Sequence, residues 1–417
     1  MKAVPPAARV PGVPPAAPRA PSAFACLAAT LAIQVLASAA VIAPTAVAPV
    51  IGAQMGLPAA AVGLYVALVY LGAMLASVLG SHFIARHGAI RTSQASLALC
   101  AAGLGLIATA TLWAALPGAF ILGLGYGPIT PASSQILART TPAHRMGLVF
   151  SLKQTGVPLG GVIAGLVVPP LSLAAGWPLA LGLLAAASLL CAALAQPLRA
   201  ALDADAGGSQ AGAGTGFGAL ARPVALVWAD ATLRRLALCS LVFSCVQVCV
   251  TAYLVSFLTA QLHWALVAAG VALSVTQTAG VAGRVLWGAV ADRGPGARRM
   301  LLALCVLMIA AGAAMPLLRP DSPAALVLAL LAIYGGTAIG WNGVYLAEVA
   351  RLAPPGQAGV ATGGVLAFTY LGVVAGPPLF GALASSGAGF GWAYAATGLP
   401  LLGCLALLAG AGRVRKA

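Results

Sequence analysis

Twelve apolar stretches, each near the ~20 residues a helix needs to cross a hydrocarbon core, occupy almost the whole chain. They fall at about 24–47, 59–82, 92–114, 117–138, 147–169, 177–197, 235–258, 265–290, 300–318, 324–350, 358–384 and 391–411. Helices are what such stretches must form, because lipid offers no water to satisfy free backbone N–H and C=O groups. Of the 417 residues, 61% are hydrophobic and only 6% charged, whereas a soluble domain has roughly a quarter of its residues charged. No soluble core hides that much apolar surface, so a soluble enzyme and a disordered scaffold are excluded. The net charge of +15 does not point to nucleic acid as a partner, because the cations form no basic face with interleaved aromatics. The fold class is an all-α polytopic membrane protein with the lipid bilayer as its solvent.

The placement of charge tests the number of spans. With the Pro/Ala-rich tail 1–23 in the cytoplasm, 18 of the 21 Lys and Arg fall on the cytoplasmic side. Arg319 alone falls outside, and Lys153 and Arg284 lie within helices. Such one-sidedness is what the positive-inside rule predicts for twelve spans with both termini cytoplasmic. The first apolar stretch is too long for a signal-peptide core, and the expected location is the cytoplasmic (inner) membrane. The eight Cys and four His show no metal-ligand spacing, so neither a metal nor a cofactor is expected.

Residues 198–233 contain Asp203, Asp205 and several glycines, the composition of a cytoplasmic linker. It separates a six-helix bundle at 24–197 from another at 234–412, followed by a basic tail at 413–417. The halves repeat. A shift of 212 residues places Gly123 on Gly335, Arg139 on Arg351, Pro142 on Pro354, Gly147 on Gly359 and Gly160 on Gly372, and a shift of 207 places Gly63 on Gly270 and Arg86 on Arg293. Two parallel six-helix repeats are a transporter architecture.

Between the second and third spans stands Ser81-His82-Phe83-Ile84-Ala85-Arg86-His87-Gly88, and between the eighth and ninth Gly288-Ala-Val-Ala-Asp292-Arg293-Gly-Pro-Gly296-Ala-Arg298-Arg299. The second resembles the G-x-x-x-D-R-x-G motif of the major facilitator superfamily, and the first keeps Arg86 and Gly88 but has Ala85 in place of the acid. The resemblance covers about 24–412 and implies two pseudo-symmetric six-helix halves. It also implies that Arg86, Gly88, Gly288, Asp292 and Arg293 belong to loops that gate the halves on the cytoplasmic face. Enforcing topology is the alternative role of these cations. Glycines four apart in spans 5 and 11 (Gly156/Gly160, Gly161/Gly165, Gly359/Gly363, Gly372/Gly376) fit either tight packing or a moving interface.

Polar residues concentrate in spans 1, 2, 4, 5, 7, 8 and 10, whereas spans 6, 9 and 12 are nearly pure Ala, Leu, Gly and Val. Gln34, Tyr126, Gln154, Gln247, Gln277, Trp341, Asn342 and Tyr345 are the expected polar and aromatic walls of a substrate cavity. Lys153 lies eight residues past Arg145 and Arg284 eight before Asp292, so each is about 12 Å inside the cytoplasmic end at about 1.5 Å per residue. A charge there costs at least ~2.5 kcal/mol, so each faces an anionic substrate group, or else snorkels or pairs with a helix-end carbonyl or Glu348. Glu348 is the one acid in a span. It is a candidate for carrying a co-transported proton, or it pairs with Arg351 three residues on. The expected function is a secondary transporter, a symporter if protons are coupled. It would work by alternating access on a small-molecule substrate, an organic anion such as a carboxylate. The rival readings are a broad-specificity exporter of neutral or lipophilic compounds and, remotely, a non-transporting receptor. Nothing resembles an enzyme's nucleophile and base.

Overall fold

The computed structural model describes residues 21–142, 145–203, 217–294, 296–354 and 357–410, apart from a few side chains within them. The apolar stretches fold into α1 (Ala23–Ala46), α2 (Ala61–His87), α3 (Ala89–Ala108), α4 (Leu112–Thr140), α5 (Val149–Ala175) and α6 (Trp177–Leu194). The second half comprises α7 (Ala231–Ala260), α8 (Leu266–Arg293), α9 (Gly296–Leu317), α10 (Ala324–Leu352) and α11 (Ala358–Leu383), with α12 formed by Gly389–Ala396 and Gly398–Gly410. The apolar run Gly359–Gly410 is 52 residues long, roughly 78 Å if it were one helix, more than twice the hydrocarbon core. It makes two crossings, because Gly387 (φ 92°) and Gly389 (φ 76°) take the left-handed conformation that turns the chain back.

The repeated glycines hold equivalent packing positions. Gly123 of α4 lies against the Val69 carbonyl of α2, and Gly335 of α10 against the Thr276 carbonyl of α8. Gly160 of α5 meets Val35 and Ala39 of α1, and Gly372 of α11 meets Leu241 and Ser244 of α7. At each position a Cβ would strike a neighbouring backbone, so the approach requires glycine. The halves meet along two seams, α5 against α8 and α2 against α11. At one end of these seams Gly270 packs on Gly165 and Pro169, and Gly63 on the Pro377 carbonyl.

The helix ends bearing Arg86, Arg91, Arg139, Arg293 and Arg351 share one face of the bundle, here called the basic face. The sequence reads 198–233 as a cytoplasmic linker. Its described ends are ordered: a helix spans Gln196–Leu202, and another, Phe217–Ala229, lies along α11. The apolar faces of these segments account for the difference, since Val227 is fully buried. Residues 204–216, with Asp205, lie outside the described residues, as do the greater part of the tail 1–23 and all of 413–417.

Candidate substrate site

Three helices that meet at the centre, α4, α5 and α10, break along their length, and the breaks build the site. Pro158 has no N–H to donate to the Gln154 carbonyl four residues earlier, so α5 interrupts at Thr155 between Met146–Gln154 and Gly156–Ala175. Pro131 likewise frees the Gly127 carbonyl of α4, which interrupts at Gly127 and Pro128. The third break lies in α10, between Ala324–Ala338 and Asn342–Leu352. Irregular backbone within a span must find partners inside the protein.

Arg284 of α8 supplies two of them. Its Nη1 donates to the Gln154 carbonyl at 2.7 Å, across the seam between the halves, and its Nε to the Ile339 carbonyl at 3.2 Å, within its own half. Bonds to a charged donor are worth ~1.5–3 kcal/mol each, so two of them offset the insertion cost of the guanidinium. Of the alternatives open from sequence, the helix-end carbonyl is the partner Arg284 takes. Lys153 is far less well satisfied. It is 1% exposed, and its only bond among the described residues is a 3.4 Å contact from Nζ to the Gln154 side-chain oxygen, although an ammonium has three donors. Lys153 and Arg284 meet at one residue, Gln154, whose side-chain oxygen takes the first and whose backbone carbonyl takes the second.

No carboxylate among the described residues neutralises them. Asp203 caps α3, Asp230 caps α7, Asp292 and Asp321 are exposed, and Glu348 is taken by Arg351. Both Glu348 oxygens accept from that guanidinium, at 2.6 and 2.8 Å.

The expected wall residues divide. Gln34 is buried beside the α5 break, bonded to Ser38 and Thr130 and packed on Gly156. Gln277 packs on Gly161. The Gln247 side-chain oxygen accepts from Trp341 Nε1 at 2.9 Å and Asn342 Nδ2 at 3.0 Å, tying α7 to the α10 break. Tyr126 stacks edge-on against Tyr70. Tyr345 and Trp341 are both 1% exposed and pack on each other, with the Tyr345 hydroxyl donated to the Leu236 carbonyl, so both brace the site from behind. Gln247, Gln277, Tyr70, Val157 and Ile339 help to line a central cavity of about 40 Å³, room for a few waters. Ile339, whose carbonyl Arg284 holds, is thus both a lining residue of this cavity and a partner of the cation.

Sequence reasoning missed Ser77 and Tyr370, which join α2 to α11 at 3.2 Å, Ser77 also donating to the freed Gly127 carbonyl at 3.0 Å. The signal was available: the 207-residue shift that places Gly63 on Gly270 also places Ser77 on Arg284, and the 212-residue shift places Gly127 on Ile339. It missed the freed Gln154 carbonyl as well, whose signal is Pro158.

The gating loops differ from one another. Gly88 turns the α2–α3 loop with φ 90°. Against it lies Asp203, whose carboxylate accepts from the backbone N–H of Ile90 and Arg91 at 3.0 and 2.9 Å. The acid absent at Ala85 thus has a counterpart supplied from beyond α6, while Arg86 stands exposed nearby. In the second copy Gly288 meets no neighbour closely enough to require glycine, and Asp292 and Arg293 are exposed. Arg298 caps the last carbonyls of α12 at Leu408 and Ala409.

Two pseudo-symmetric six-helix halves meeting at broken helices around buried polar groups define a membrane transporter rather than an enzyme. The Major Facilitator Superfamily profile matches residues 28–365, and the chain belongs to that family. Its fold is similar to that of a bacterial homologue of the human lysosomal transporter Spinster in an inward-facing, occupied conformation (16% identity, TM-score 0.72, covering 94% of this chain and 97% of that one). The inward-facing, unoccupied form of that protein is also similar (18%, TM-score 0.68, 93% and 95%), as is the nucleoside transporter NupG (16%, TM-score 0.72, 92% and 98%). At these identities the likeness is one of fold. No curated protein matches the sequence.

Proposed function

We propose that this transporter carries a small organic anion, such as a carboxylate, by alternating access, with its basic face in the cytoplasm as the positive-inside rule requires. One observation carries the reading: the buried Lys153 and the half-buried Arg284 both donate to Gln154, with no carboxylate among the described residues to balance their charge. An anion at Gln154 meets the unfilled donors of Lys153. It also competes with the Gln154 carbonyl for Arg284, whose fork can grip a carboxylate with two parallel bonds. Because that carbonyl belongs to the other half, the exchange of partners weakens the α5–α8 seam. Substrate binding is thereby coupled to the rocking of the halves, with Pro158 as the place where α5 yields. Gln34, Gln154, Gln247, Gln277, Asn342 and Tyr126 orient the substrate by neutral contacts.

Uptake by purified protein in proteoliposomes tests this against the exporter of neutral compounds. Arg284→Gln keeps a donor for the Gln154 carbonyl but removes the charge. Loss of anion uptake with intact folded protein supports the reading, and unchanged uptake overturns it.

A further inference from the structure

The polar centre is not the only cavity on the axis between the halves. Towards the face opposite the basic one lies a second cavity of about 330 Å³, within the ~300–1,000 Å³ range of small-molecule sites. No charged side chain among the described residues lines it. Three of its hydroxyls are already spent on backbone carbonyls: Thr45 on Ile42 (2.7 Å), Tyr65 on Val41 (2.8 Å) and Thr259 on Val255 (2.9 Å). It therefore offers apolar contact and almost no hydrogen bonding. One wall is the short helix Ala48–Met55, pinned where Trp177 Nε1 donates to Gln54 Oε1 at 2.6 Å.

Two features make this more than a crevice for lipid tails. Thr45 lines both the apolar chamber and the central cavity, so one side chain on α1 stands between them. The chamber also draws its walls from both halves, with Ser256, Thr259 and Phe390 facing residues of α1, α2 and α4, so its shape must change when the halves rock. Read along α1, Gln34 sits beside the α5 break, Val41 and Ile42 at the central cavity, and Thr45 at the chamber.

From this juxtaposition we propose that the substrate is an amphipathic anion, its acidic group at Lys153 and Arg284 and its apolar portion passing Thr45 into the chamber. The inference rests on the anion reading above and narrows it. Burying each methylene is worth enough to tighten binding about four-fold. Affinity should therefore climb along a series of straight-chain carboxylates until the chamber is full, while the alcohol and the amine of the same length bind weakly.

The test is thermal stabilisation of the full chain in lipid nanodiscs by butanoate, hexanoate, octanoate, octanol and octylamine, with Ala53→Trp and Ala115→Phe as chamber-filling variants. Ala53 is exposed at the rim, so its replacement leaves the core packing alone. The expected result is a rise from butanoate to octanoate that both variants flatten by about ten-fold or more while butanoate binding persists. A flat chain-length series, or a series indifferent to both variants, overturns the chamber but leaves an anion carrier. Octanol or octylamine binding as well as octanoate overturns the anion reading, and the amphipathic anion with it.

Discussion

The two seams between the halves follow one plan with different chemistry. In the first, α2 sends Ser77 to the Gly127 carbonyl at the α4 break, and Tyr370 of α11 meets Ser77 from the other half. In the second, α8 sends Arg284 to the Ile339 carbonyl at the α10 break and reaches across to the Gln154 carbonyl of α5. The helices correspond pairwise, and so do Ser77 with Arg284 at the 207-residue shift and Gly127 with Ile339 at the 212-residue shift. One seam closes with neutral hydroxyls, the other with a guanidinium beside a poorly satisfied ammonium. A neutral seam can open and close with little regard to what is bound. The charged seam cannot, because each of its partners competes with an anion for the same donors. On the anion reading proposed above, the first seam serves mechanics and the second recognition.

The sharpest way to break this comparison is to make the seams alike. Arg284→Ser copies the first seam into the second. Losing charge-assisted bonds of ~1.5–3 kcal/mol each predicts a fall in anion transport of about a hundred-fold, measured as proteoliposome uptake with monodispersity as the folding control. Next comes Pro158→Ala, which returns an N–H to α5, so that the Gln154 carbonyl no longer needs Arg284. Transport should drop roughly ten-fold while the melting temperature rises, since alanine favours the helix interior over proline by ~3 kcal/mol.

The paired glycines test whether the seams are mechanically equal. A Cβ at Gly63 meets the Pro377 backbone, and one at Gly270 meets Gly165 and Pro169. Alanine at either position should cost a similar ~1–3 kcal/mol, read as comparable falls in melting temperature. Tyr370→Phe removes one neutral hydrogen bond from the first seam, so uptake should change by no more than about three-fold. The smallest effect belongs to Glu348→Gln, which breaks an (i, i+3) pair worth a few tenths of a kcal/mol with a partner side chain that is 57% exposed. The pH profile of uptake should keep its shape, and a lost acid limb there would return the proton to Glu348.

Much of the fold was legible because membrane burial writes it into composition: apolar length gives the spans, and arginine placement supports their number. The break in α12's neighbourhood was equally plain, since 52 apolar residues cannot make one crossing. The cations Lys153 and Arg284 stood out because charge is expensive in lipid. What the sequence did not reveal is backbone chemistry. Arg284 binds two carbonyls, and a carbonyl has no letter in a sequence; only Pro158 betrays that one of them is free. A tyrosine's spacing also says nothing of where its hydroxyl goes, and that of Tyr345 goes to the Leu236 carbonyl. Asp203 was read as linker because the residue it serves, the N-terminus of α3, lies more than a hundred positions away.

The central claim is that the charged seam reads an anion through Arg284. Thermal stabilisation of the purified protein by organic anions, lipophilic cations and neutral drugs, in wild type and in Arg284→Ala, tests it most directly, since a ligand that binds only the folded state raises the melting temperature by mass action. A shift confined to anions and lost in Arg284→Ala is the predicted result. A shift confined to neutral or cationic drugs, unchanged in Arg284→Ala, would contradict the account and leave both cations as structural pins.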